Sequence, residues 1–535
     1  MSSFDYVIVG GGSAGSVLAA RLSEHARHKV LLLEAGGRGR HPWIRIPIGY
    51  GKTFLDARFN WKYSAQTDAG IAGRAMYWPR GKGLGGSSAI NAMVWVRGHP
   101  QDYDDWNLPG WGWGDVAPLF RRIEDWHGAP DPARGTGGPL CITDVSAVMH
   151  PLSRAYVQAA GQAGLPENPD YNAARMEGVG YYQITTRAGF RASAADAYLR
   201  PALRRANLRV ETGAQATRVL FDGARATGVE YRQHGQTRIA TARAEVILCA
   251  GALNTPQLLQ LSGVGPGALL QEMGIGVTHD APQVGRNLMD HLGVDHMFTA
   301  TQPSLNQVLR PLWGKARVGL QYILTRKGPL SMSLNQGGGF VRLDGGDGPP
   351  DLQLYFSPLT YSRAPGGKRA LMSPDPFAAF RLGFSPCRPT SRGYLRLASP
   401  DPFAPPAMHP NYLTTEDDRR MMIDGTRLVR RIAGMPALHA VTGREVLPGP
   451  DCETDASILE NARADCWTVF HQCGTARMGL DPAQSVVDPQ LRVHGVRGLR
   501  VADASVFPGI PSGNTNAPAI MVGENAADIL RKDAR

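Results

Sequence analysis

The chain has 535 residues, 43% of them hydrophobic, and a formal net charge of +11. That length is too great for one ordinary core and predicts two intertwined domains. No run of about eighteen apolar residues occurs that would span a bilayer. The charge could favour an anionic membrane or an acidic partner, but the cations are scattered and form no long block, so a solvated surface is the plainer reading and no nucleic-acid partner is expected. The first element is a buried apolar run, Phe4 to Val9. It begins too early to leave room for a signal peptide, so the expected location is the cytoplasm or the inner face of a membrane. A glycine turn follows, Gly10-Gly11-Gly12-Ser13-Ala14-Gly15, then a helix predicted over 16–24 and a second strand, Val30 to Leu33, ending at Glu34. This is the βαβ opening of a doubly wound sheet. The turn lets backbone N–H groups and a helix N-terminus meet a pyrophosphate. Glu34, nineteen residues after Gly15, can accept hydrogen bonds from ribose hydroxyls and disfavours a 2′-phosphate. A dinucleotide site is therefore predicted. No second strand–GxGxxG–helix unit follows: Gly263-Val264-Gly265-Pro266-Gly267 comes after a helix and contains a proline.

Residues 35–140 are loop-rich, with aromatic clusters at Trp61, Tyr63, Trp106, Trp111 and Trp113. Strand patterning returns over 208–211, 217–221, 228–231 and 245–249, the last running into Ala250-Gly251. Alternating segments between 300 and 440, among them 351–356 and 393–397, predict an antiparallel sheet with helices nearby. A last helix is predicted from about Ala517 to Arg531. The six cysteines form no Cys-x-x-Cys pair and no zinc spacing, so they read as reduced thiols with no metal centre. The segments sort into a dinucleotide domain over 1–150, 190–297 and 445–535, and a second domain over 151–189 and 298–444.

Two further stretches carry a resemblance. One is Gly81-Lys82-Gly83-Leu84-Gly85-Gly86-Ser87-Ser88-Ala89-Ile90-Asn91, continuing to Trp95, Gly98 and Asp104; the other is Gly251 through Gly265. With Val284 through His291, and with His471-Gln472-Cys473-Gly474-Thr475, Val501-Ala502-Asp503-Ala504 and Asn514-Thr515-Asn516-Ala517-Pro518, the whole chain resembles the glucose–methanol–choline (GMC) oxidoreductases. The resemblance implies an α/β fold: a Rossmann-like FAD-binding domain interleaved with an α+β substrate domain whose antiparallel sheet of about six strands roofs the isoalloxazine. It implies FAD, held at Gly10, Gly12, Ser13, Ala14, Gly15, Glu34, Ala35, Gly83, Gly85, Gly86, Ser87, Asn91, Ala92, Met93, Val94, Ala216, Ala250, Gly251, Asp503, Ala504, Asn516 and Pro518. Some relatives carry a histidine at the position of Asn91 and bind flavin covalently through it. Asn91 cannot, so dissociable FAD is expected.

Oxidising an alcohol by hydride transfer requires a base for the hydroxyl proton, a group that holds the alkoxide, and a carbinol carbon facing the flavin. Read alone, His471 would be a core histidine bonded to a backbone carbonyl. The family places its active-site histidine at this motif, so the resemblance makes His471 the base. The second family position falls on Asn514, which can orient the substrate oxygen but cannot take its proton; Asn516 competes, with a helix cap as its plain alternative. The N-terminus of the last helix is expected at the flavin pyrimidine edge. Asn335, Tyr355, Phe356, Trp467 and Phe470 are expected to line the substrate pocket. No glutamate lies between Met273 and Thr415, which disfavours choline, although Asp344, Asp347 and Asp351 remain. The expected activity is oxidation of a neutral primary alcohol to the aldehyde, with electrons passing to a quinone or other non-NAD carrier and possible peripheral membrane association. An oxygen-using oxidase and a flavin-dependent hydroxynitrile lyase are the alternatives.

Overall fold

The computed structural model describes residues 3–361 and 373–533. At its centre the strand Ser3–Val9 pairs in parallel with Val30–Glu34 on one side and Gln236–Leu248 on the other. Leu208–Thr212 extends the sheet beyond Val30–Glu34. The long Gln236–Leu248 strand serves two neighbours along its other edge. Its first half takes the antiparallel hairpin of Ala214–Asp222 and Arg225–Gln233, and its last three residues pair in parallel with Leu499–Val501. Val7, Ile8, Val246, Ile247 and Leu248 are fully buried, as strands covered on both faces require. The helix Ser13–Leu22 packs on this sheet against the C-terminal helix Asn516–Asp533, so the two ends of the described chain meet.

The second sheet is antiparallel. Six strands follow one path: Thr442–Leu447, Leu292–Ala300, Ala379–Pro386, Leu352–Ser357, Gly337–Val341 and Gly178–Tyr181. A short seventh, Trp467–Thr468, pairs with the start of Leu292–Ala300. Two of the segment boundaries expected from the sequence, after 297 and after 444, fall inside strands of this sheet.

Strand alternation decides which side chains face the cavity. Leu352, Leu354 and Phe356 enter one hydrophobic cluster, where Phe356 stacks on Tyr156 with ring centroids 4.9 Å apart. Tyr355 and Ser357 point to the opposite face and line the cavity. Phe356 is therefore a core residue and not the pocket residue expected. The segment 393–397 also departs from expectation. Tyr394–Arg396 pairs with Ala407–His409 in a separate two-stranded ladder, held by Leu395 N–H donating to the Gly285 carbonyl and Leu397 N–H to the Gln260 side chain.

Candidate active site

Between the two sheets runs one elongated cavity of about 930 Å³, near the upper end of what ligand sites offer, roughly 300–1,000 Å³. Its walls at one end are the expected dinucleotide residues. Gly10, Gly12, Ser13, Ala14, Glu34, Ala35, Gly86, Ser87, Asn91, Ala92, Met93, Val94, Ala216, Ala250, Gly251, Asp503, Ala504 and Asn516 all line it. Four others do not. Gly15 packs helix on strand, since a Cβ there would sit 1.9 Å from the Gly10 carbonyl oxygen. Gly83 and Gly85 brace the turn through backbone bonds, to Glu34 Oε1 at 2.9 Å and to the Gly11 carbonyl at 2.8 Å. Pro518 is buried inside the C-terminal helix.

The cradle suits a dinucleotide on its own geometry. The helix Ser13–Leu22 starts at Gly12 with no side chain capping its first amides, which leaves them for a ligand. Gly12 lines the cavity, and a Cβ there would meet no protein atom closer than 3.9 Å. Glu34 fixes three loops at once: Oε2 accepts from Gly11 N–H at 2.8 Å, and Oε1 from Gly36 N–H at 2.7 Å and Gly83 N–H at 2.9 Å. Burial pushes its carboxyl above the usual range, against the pull of those donors. Asp503 does the same work opposite, accepting from Gly251 N–H, Thr255 Oγ1 and Ser505 N–H. Asn91 Oδ1 accepts from the buried Arg191 and from Met93 N–H, which fixes the loop wall.

At the other end His471 is set by its backbone. Phe470 adopts a left-handed φ of 68°, and its carbonyl accepts from the half-buried Arg80. The N–H of His471 donates to Asp290 Oδ1 at 2.9 Å. Asp290 Oδ2 accepts from Tyr412, Thr468 and Gln472, so one buried carboxylate holds four donors around the loop. Burial lowers Arg80 to about 10, which leaves it cationic at neutral pH.

The imidazole lies in a hydrogen-bonded chain whose two ends are backbone carbonyls. Because a carbonyl only accepts, the direction of every link follows. At one end His291 Nε2, 2.8 Å from the Cys387 carbonyl, must carry its proton there. Burial drops His291 to about 4, so the ring is neutral and its Nδ1 is an acceptor. His471 Nδ1, 2.9 Å away, must then be the donor. At the other end Tyr182 donates to the Leu354 carbonyl and so accepts from Gln353 Nε2, whose Oε1 accepts from Tyr355. Gln353 Nε2 also donates to Asn514 Oδ1 at 3.1 Å. That turns Asn514 Nδ2 toward His471 Nε2, 3.1 Å away. His471 is thereby held as the Nδ1–H tautomer, with its Nε2 lone pair next to Asn514.

Asn516 stands apart from this chain: it opens the C-terminal helix and its Oδ1 accepts from Ser13 Oγ at 2.8 Å. Asn335, Tyr355, Trp467 and Phe470 line the cavity with His471 and Asn514. Sequence reasoning gave no role to Asp290, His291, Gln353 or Arg80. The adjacent Asp290-His291 pair lay within a quoted motif, but 180 residues separate His291 from its ring partner and nothing local announces the contact.

Burial, then His291 and Arg80 beside it, hold His471 well below the ordinary histidine range. His296, on the neighbouring strand, is driven to about 3, mainly by burial and then by Arg430. Neither of its nitrogens has a hydrogen-bond partner among the described residues. Unfolded, such a ring takes its proton near pH 6.5; above that both states are neutral and nothing is lost. Below it the unfolded chain binds more protons and gains. A His296→Leu variant avoids this. Its Tm relative to the parent should therefore rise as pH falls from about 6.5 toward 4, by up to about 1.4 kcal/mol of stability per pH unit. A difference that does not change with pH would contradict the neutral buried ring.

Comparison with known proteins gives a consistent result. The GMC oxidoreductase family models match residues 4–293 and 389–523. The chain is 43% identical to an alcohol dehydrogenase [acceptor] of Pseudomonas putida, over 98% of this chain and 95% of that one. It is 40% identical to an oxygen-dependent choline dehydrogenase of Rhizobium johnstonii, over 98% and 95% of the two chains. Among solved structures, pyridoxine 4-oxidase from Mesorbium loti superposes with a TM-score of 0.89 at 33% identity, over 99% of both chains. Among the described residues, no helix is long and apolar enough to cross a membrane.

Proposed function

Since the chain belongs to the GMC oxidoreductase family and is an FAD-dependent oxidoreductase of alcohols, we propose that it converts a neutral primary alcohol to the aldehyde with His471 as base. The observation that carries this is the His471 Nε2 lone pair, held beside Asn514 Nδ2 in the cavity wall. The alcohol hydroxyl enters between them, donating to His471 Nε2 and accepting from Asn514 Nδ2. As the proton moves to Nε2, His291 Nδ1 accepts from the Nδ1–H and steadies the charged ring. Asn514, turned by Gln353, stays on the developing alkoxide. Bound FAD supplies the acceptor for the hydride and its two electrons. Asn91 offers no nucleophile for a covalent link, so the cofactor is held by the cradle alone.

The acids named from the sequence favour a neutral substrate: Asp344, Asp347 and Asp351 do not line the cavity, and Asp295, which does, is paired with Arg381 at 3.0 Å. Asp465 and the rings of Trp61 and Trp467 also line it, so the choice between a neutral alcohol and choline is left to the experiment. Electrons leave to a quinone or another non-NAD carrier. The enzyme works in the cytoplasm, and its charge of +11 would favour peripheral association with the inner face of an anionic membrane. Use of oxygen is the second reading, favoured by the likeness to an oxygen-dependent relative. Anaerobic mixing with a panel of primary alcohols, sugars and choline tests both parts. Neutral alcohols should bleach the flavin, and reduction should persist when air is admitted; bleaching by choline alone, or rapid reoxidation, would overturn the substrate or the acceptor reading respectively. Asn514→Ala should slow bleaching about tenfold, the worth of one hydrogen bond to a developing charge, and no slowing would remove its role.

A further inference from the structure

The helix Leu312–Thr325 has two apolar faces and only one of them is covered. Gly314, Val318 and Tyr322, four residues apart, are buried. Val318 belongs to a cluster with Tyr50, Met93, Leu334 and Leu359, all of which also line the cavity. The helix thus backs the wall of the active site. Its opposite face presents Leu312, Trp313, Leu320, Ile323 and Leu324, between 58% and 84% exposed. At 100° per residue these five span an arc of about 120°. No other segment among the described residues gathers so many exposed large apolar side chains. Lys315 and Arg317 flank the arc, one at each edge, and Arg310 and Lys327 stand at the helix ends, while Arg326 is held against Phe190 and Tyr322. Between Asp295 and Asp344 the sequence contains no acid at all.

We propose that this face docks the enzyme on an anionic lipid bilayer, with the five apolar side chains at the headgroup–acyl boundary and the cations on the lipid phosphates. The charge pattern selects this occupant. In a two-fold pairing with a second copy, the cationic helix would face itself with no acid in reach on that segment, and like charges would oppose contact. A bilayer surface supplies both the apolar depth and the negative charge. The docking gives a location to the peripheral association in the function proposed above, and rests on that reading only for its purpose, since the binding is measured without turnover.

The test is co-sedimentation of the FAD-loaded enzyme with vesicles of phosphatidylcholine and phosphatidylglycerol at a 3:1 ratio, beside vesicles of phosphatidylcholine alone. The parent enzyme should bind the anionic vesicles more tightly, and high salt should weaken that binding. A Leu320→Glu/Leu324→Glu variant should bind them about tenfold more weakly or worse. Its alcohol oxidation with a soluble dye should be unchanged, which shows that the variant is folded and keeps the alcohol reading separate. Emission from Trp313, identified by loss of the signal in Trp313→Phe, should shift to the blue on anionic vesicles. Equal partition of parent and variant, or no partition of the parent, would overturn the proposal. So would a parent dimer, seen without vesicles, that the variant dissolves.

Discussion

Replacing His471 with alanine should slow anaerobic bleaching of the flavin by alcohol by about 10²–10⁴-fold, the usual contribution of a positioned base. FAD content and the visible spectrum should not change. The loop is held by Asp290 through the backbone N–H of residue 471, and by Arg80 through the Phe470 carbonyl; alanine keeps both contacts. What alanine removes is the Nε2 lone pair, with its neighbours left in place. The tautomer of His471 sharpens the expectation. Nδ1 is committed to His291, so no other atom of the ring faces Asn514. His291 cannot substitute, because its Nε2 proton is tied to the Cys387 carbonyl and its ring is buried. A variant that bleaches within a factor of a few of the parent rate would place the base elsewhere.

Glu34→Ala should cost the protein its cofactor. The carboxylate satisfies three buried backbone amides from three separate loops, at Gly11, Gly36 and Gly83. Each orphaned amide costs about 1–3 kcal/mol. Local rearrangement will recover part of that. Even so, the sum is enough to weaken FAD binding by about a hundredfold or more and to lower Tm. Glu34→Gln keeps one acceptor oxygen and should fall between the two. Purified Glu34→Ala with parental FAD content and parental Tm would show that the carboxylate is not what holds the cradle.

The dinucleotide half of the molecule was largely legible because its signals are local. A strand, a glycine turn and a helix over the first two dozen residues dictate one another, and Glu34 sits at a spacing set by the helix and strand lengths. Alternating segments between 300 and 440 announced the antiparallel sheet, and the resemblance supplied its strand number and the interleaving of the two domains. What stayed hidden depends on register or on distance. Phe356 and Tyr355 are equally apolar-looking neighbours on one strand; only the pairing with Ala379–Pro386 settles which faces the cavity. Asn514 and Asn516 differ by two residues, but one ends a loop against His471 and the other opens a helix against Ser13. The His291 contact joins two loops that cross only because Leu292–Ala300 and Trp467–Thr468 pair just beyond them.

The hydrogen bond between Ser13 and Asn516 has a consequence in time. Its partners lie 503 residues apart. A ribosome adding about 5–20 residues per second places roughly 25–100 s between their appearances. The central strand Ser3–Val9 waits in the same way for Gln236–Leu248, its parallel neighbour. Throughout that interval the glycine turn exists without its opposite wall. Cofactor capture therefore belongs to the finished polypeptide and not to the emerging one, and a chain stalled before the last helix is a client for chaperones rather than a slow enzyme.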